Sequence, residues 1–140
     1  MALSYEAKLL SGVTLLAVPT IMYGGWTLLG LLTHGSVAPM ARGVTLDDTQ
    51  WALWRAGHAH AGVWVLLSLV VQILLDSARL SWSLRWLARI SAPLAAVAMS
   101  GGLFGVAFVP AFRWLLYLGA LSLAVSVILT AVGLLRNLQS

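Results

Sequence analysis

Two histidines stand two residues apart in WRAGHAHAG, the segment from Trp54 to Gly62, inside an otherwise apolar stretch. An ionisable side chain is expensive to keep in such a stretch, so His58 and His60 are the first candidates for chemistry. Helical residues two apart are separated by about 200° around the axis and cannot both reach one metal ion from one helix. A mononuclear zinc or iron site prefers histidines at i and i+4, or ligands from several helices. Residues 9–33, 51–75, 87–109 and 114–135 hold no Asp or Glu, which disfavours a carboxylate-bridged metal pair and a carboxylate proton relay. The chain has no cysteine, which removes thiolate ligands to clusters and to heme. Two readings of the pair remain. One histidine can be the axial ligand of a heme iron, which needs a single protein ligand because the macrocycle supplies the rest. Alternatively both hydrogen-bond neighbouring helices.

A heme needs room and company. Small residues gather at one depth: Gly24 and Gly25, then Gly57, Ala59, Ala61 and Gly62, then Ser100, Gly101, Gly102 and Gly105. At 1.5 Å per residue they lie roughly 6 to 16 Å from the outer ends of their runs, level with His58, which lies roughly 10 Å in. Such a layer makes either a cavity or a close helix contact. Arg55, one turn above His58, is placed to meet heme carboxylates, with Arg42 and Arg113 as interfacial alternatives. Trp54 and Trp64 stand at i−4 of His58 and i+4 of His60, where they can stack on a macrocycle or serve as membrane-belt residues. Tyr23 and Tyr117 fall in the outer half and can donate a hydrogen bond to a bound substrate, and His34 sits at the rim.

Apolar residues make up 61% of the 140 and charged ones 9%, with a mean hydropathy of +0.95, so the elements that position these groups are membrane spans. A span needs about 20 apolar residues, and residues 9–33, 51–75, 87–109 and 114–135 each supply that without the alternation of a barrel strand. The expected fold is all-α: an integral membrane four-helix bundle forming one domain over residues 1–140. The first run is too long, and lacks a small-residue cleavage site, to read as a signal peptide, so it is retained. Thr45, Asp47 and Asp48 suit the start of the second helix, Pro19 and Pro93 fall within the first and third, and Pro110 ends the third. Ser81 to Arg89 reads as an interfacial stretch of tryptophan, leucine and arginine before the third span.

The net charge of +4 lies beside the membrane and points to topology and lipid headgroups, not to nucleic acid. Lys8, Arg79, Arg85, Arg89 and Arg136 fall on one side of a four-span chain, and Arg42, Arg55 and Arg113 on the other. Five against three places both termini in the cytoplasm, in a multi-pass protein of the inner membrane.

Over residues 5–65 the chain resembles small four-span membrane isomerases of the styrene oxide isomerase type. The shared features are the start Tyr5, Glu6, Lys8, a Gly/Trp-rich end to the first helix, and Trp54 followed four residues later by His58. The resemblance implies heme b at subunit contacts of a homotrimer, with the second-helix histidine as axial ligand. It also implies a ferric iron acting as a Lewis acid on the oxygen of a small hydrophobic epoxide, which opens to an aldehyde. His60, followed by Ala61 and Gly62, fits the family's His-small-Gly pattern as well as His58 fits the Trp spacing, and His58 is narrowly preferred. Trp54, Arg55, Gly62, Gly101 and Gly102 complete the expected cofactor site, with Tyr23 and Tyr117 as substrate-handling groups. The chain departs from the family in having no Asn in residues 61–75 and neither Asp nor Tyr in 87–109, so heme binding carries over better than the reaction. Two further functions stand beside this one. The chain can be a six-coordinate electron-transfer or heme-sensing protein, with His34 or His60 of a second copy as sixth ligand, or a cofactor-free helper subunit.

Overall fold

The computed structural model describes residues 3–138. Its helices are α1 (Tyr5–Leu16), α2 (Val18–Leu32), α3 (Asp48–Leu75), α4 (Trp82–Val106) and α5 (Arg113–Asn137), with 3-10 turns at Pro39–Ala41 and Pro110–Phe112. No strand occurs among the described residues. Four stretches are long and apolar enough to cross a membrane: Tyr5–Leu32, Asp48–Leu75, Trp82–Val106 and Pro110–Asn137. The chain is an all-helical, multi-pass membrane protein.

Local chemistry sets the ends. The Ser4 hydroxyl caps α1 by accepting from the Ala7 N–H at 3.2 Å. Asp47 starts α3 with a reciprocal capping box, accepting from the Gln50 N–H while the Gln50 side chain accepts from the Asp47 N–H. The Gln50 amide also donates to the Ala107 carbonyl at 3.2 Å, tying the start of α3 to the end of α4.

Each proline acts through its missing N–H and its clash with the preceding turn. Pro19 divides the first span at Ala17 into α1 and α2, where a single helix was expected. Pro93 lies in the interior of α4, because that helix starts at Trp82 and takes in the stretch expected to be interfacial. The Arg89 carbonyl, which Pro93 deprives of its helical donor, accepts instead from the Gln72 side-chain amide of α3 at 2.9 Å. Pro110 opens the 3-10 turn that leads into α5, after α4 has already ended at Val106. In the long loop, Gly35 has φ 78 and a Cβ there would stand 2.9 Å from the Arg42 Cα, so glycine is required.

The third span is the centre of the bundle: half of its apolar window is buried, against 11% for the first. Ala88, Ala92, Ala95, Ala96 and Ala98 are buried along α4, and small side chains let neighbouring helices approach closely. From α5, Gly119 packs so tightly on Met99 that a Cβ would lie 2.8 Å from its backbone nitrogen.

The expectation for Arg89 is corrected by this packing. It is not a headgroup-facing residue but is 1% exposed, paired with Asp76 and donating through Nη1 to the Gln72 carbonyl and side-chain oxygen at 3.1 and 3.0 Å. Ser4 joins the cluster, donating to Asp76 from its backbone N–H at 2.9 Å and from its hydroxyl at 2.6 Å. Burial pushes the Asp76 carboxyl up, but the bonds from Ser4 and Arg89 outweigh it and hold the group below its ordinary value.

Candidate functional site

The two histidines leave α3 in different directions, as a spacing of two requires. His58 points toward α2, and a Cβ on Gly25 would meet its Cε1 and Nε2 at 3.1 and 3.2 Å. Gly24 is placed similarly against Nδ1, at 3.6 Å. With α3 beginning at Asp48, His58 lies roughly 15 Å from its start, deeper than counted from residue 51.

Beside His58 is a cavity of about 290 Å³ lined by Ala17, between α1 and α2, and by residues of α2, α3 and α4. Its wall includes Thr20, Gly24, Ala61, Ser100, Gly101 and Phe104. A Cβ on Gly101 would meet nothing within 4 Å, so that glycine opens space. Gly102 instead faces α5, where a Cβ would lie 2.5 Å from the Leu116 Cδ2, and it packs that helix against α4. Gly57 likewise receives the Phe104 ring. The layer of small residues is therefore both things at once: cavity on the α2 side of the bundle and tight contact on the α5 side.

His60 is half-buried and its Nδ1 lies 2.7 Å from the Ala56 carbonyl oxygen of its own helix. A carbonyl can only accept, so Nδ1 carries the proton and Nε2 is left as the basic nitrogen. Trp64 packs against the ring, with centroids 5.8 Å apart. Trp54 faces elsewhere, edge-on to Phe104 and Phe108 at 5.5 and 5.8 Å.

The other candidates do not converge on the cavity. Tyr23 and Tyr117 are 58% and 60% exposed on the outer surface of the chain, Tyr117 against Trp114. Arg55, Arg42 and His34 are exposed, and Gly62 is half-exposed with open space around its Cα. Arg113 lies over the Trp114 ring, 5.6 Å from its centroid. No group of three or more His, Cys, Asp or Glu able to hold a metal ion occurs among the described residues.

A macrocycle does not fit on His58 as the helices are packed, because the Nε2 edge is covered by Gly25 and the cavity lies at the lower limit of ordinary ligand pockets. His60 has the donor set that axial ligation uses: one nitrogen fixed by a backbone carbonyl and the other free. Wall residues that spacing did not single out include Thr20, Ala96 and Val97. Ala96 and Val97 were legible as the turn of the third helix preceding Ser100, whereas Thr20 depends on how α2 leaves Pro19. No family model, no curated protein and no solved structure matches the chain.

Proposed function

We propose that the chain is a membrane heme b protein with His60 as axial ligand, lodged where α3 meets a second copy, and that it acts like the small epoxide isomerases it resembles. The observation that carries this reading is the bond from His60 Nδ1 to the Ala56 carbonyl, which orients a free Nε2 on the flank of α3. When bound through one protein ligand, ferric heme supplies a Lewis-acidic position that can take an epoxide oxygen.

The chain's own residues do the rest. His60 binds, Trp64 holds its ring, and the exposed Arg55, nearer the start of the same helix, offers a cation to heme carboxylates. Tyr23 and Tyr117 lie on the outer surface, so they reach a substrate where copies meet and not inside one chain. With no side chain on α3 or α4 replacing the family's substrate-orienting groups, aryl epoxides turn over slowly, because positioned hydrogen bonds are worth several kcal/mol in such steps.

The absorption spectrum of the detergent-purified protein tests this. A Soret band that shifts on adding cyanide or an azole is expected. A low-spin spectrum that resists both moves the function to electron transfer or heme sensing. A colourless protein that takes up no added hemin leaves the helper-subunit role.

The orientation belongs to the same proposal. Lys8, Arg79, Arg85 and Arg136 are still grouped at the end of the bundle that carries both termini, which supports termini in the cytoplasm. Cytoplasm-dependent reporters fused at either end should be active, and an active periplasm-dependent reporter there would reverse the assignment.

A further inference from the structure

We infer that the cavity beside His58 is a binding site for a small, largely apolar molecule carrying one uncharged carbonyl oxygen, and that it is separate from the His60 flank. The inference goes beyond the heme reading and does not depend on it.

The polar groups of the wall set the chemistry. Ser100 is 8% exposed and its hydroxyl is buried with no hydrogen-bond partner. A helical serine in an apolar setting usually donates to the carbonyl four residues back, and here that bond is not made. The His58 ring has no hydrogen bond to any described residue. The Thr20 hydroxyl, by contrast, is occupied by the Ala17 carbonyl at 2.6 Å. Ser100 and His58 thus bring an unspent hydroxyl and an unspent imidazole to one cavity, and a buried donor without a partner is a standing penalty that an incoming acceptor removes.

The remaining wall limits what that acceptor belongs to. No Asp, Glu, Lys or Arg lines the cavity, so a charged ligand would be stranded there. Its volume of about 290 Å³ suits a single-ring compound. Val97, 69% exposed, and the exposed Thr20 carry the wall to the outer surface of the spans, so the ligand arrives from the hydrocarbon, where apolar molecules concentrate.

Fluorine NMR of the full chain in detergent, titrated with 4-fluoroacetophenone and with 1-ethyl-4-fluorobenzene as the match lacking oxygen, tests the site. Saturable binding of the ketone is expected, weakened about 3- to 10-fold by Ser100→Ala, the worth of one hydrogen bond. The same substitution should leave the oxygen-free match within about twofold. Gly101→Leu puts a side chain into open space and should weaken both probes by about tenfold or more. Circular dichroism reports whether each variant is folded, and Ser100→Ala decides the matter if Gly101→Leu is not. Ketone binding no greater than in protein-free micelles, or unchanged by Gly101→Leu in a folded protein, overturns the site. Equal loss of both probes in Ser100→Ala overturns the carbonyl class.

Discussion

His60→Ala is expected to leave the purified protein with about a tenth or less of the wild-type Soret absorbance, whereas His58→Ala keeps most of it. The difference follows from the surroundings of two residues that look equivalent in sequence. His60 has its Nδ1 proton fixed on the Ala56 carbonyl and an Nε2 with no protein partner, so its removal deletes the ligand itself. His58 lies against Gly24 and Gly25, and its loss enlarges a cavity without touching iron. His60→Gly in growth medium containing imidazole separates ligation from packing. A free imidazole restores the Soret band if the side chain serves as a ligand, and restores nothing if it only fills space. The opposite pattern, a colourless His58→Ala beside a coloured His60→Ala, would place the cofactor in the cavity and require α2 to move off the histidine.

Asp76→Ala should cost about 3–5 kcal/mol of stability, the range for removing one partner of a buried ion pair. Arg89 is 1% exposed, and without Asp76 its charge is left with the Gln72 oxygens and the Ser4 hydroxyl. The same change removes both bonds that hold Ser4, and with it the start of α1, to the end of α3. Replacing the pair together, with Asp76→Leu and Arg89→Met, should recover most of the loss, because no charge then remains without a partner. Thermal or denaturant unfolding in detergent measures all three proteins. A single variant as stable as the wild type would show that the pair contributes nothing. The pH dependence has a definite sign: the folded Asp76 carboxyl is held below its ordinary value of 3.8. Its contribution is therefore fully present above about pH 4 and disappears as pH falls through the lower folded value. In Asp76→Asn that acid-side step should be absent.

Much of this protein is decided by the sequence alone. Four spans follow from runs long enough to cross a bilayer, since in hydrocarbon each backbone N–H and C=O must be paired within its own segment. The start of α3 follows from Asp47 and Gln50, whose partners are three residues away. That His58 and His60 face different ways follows from helical spacing. What each of them faces does not, because it depends on the rotation of α3 and on where α2 packs, with Gly24 and Gly25 against His58. The small residues of α4 show the same limit. Gly101 and Gly102 are neighbours in sequence, yet one opens the cavity and the other receives Leu116, because adjacent helical positions lie about 100° apart and meet different helices. The polar cluster was out of reach for a further reason. Arg89, just inside an apolar run, counts in the sequence among the basic residues beside the membrane, and Asp76, just past another run, has no local partner that would mark it as buried. Their burial comes from partners far along the chain: Ser4 is 72 residues from Asp76 and 85 from Arg89. Local pattern fixes which segments become helices, whereas the pairing of side chains across such separations exists only after the helices have packed.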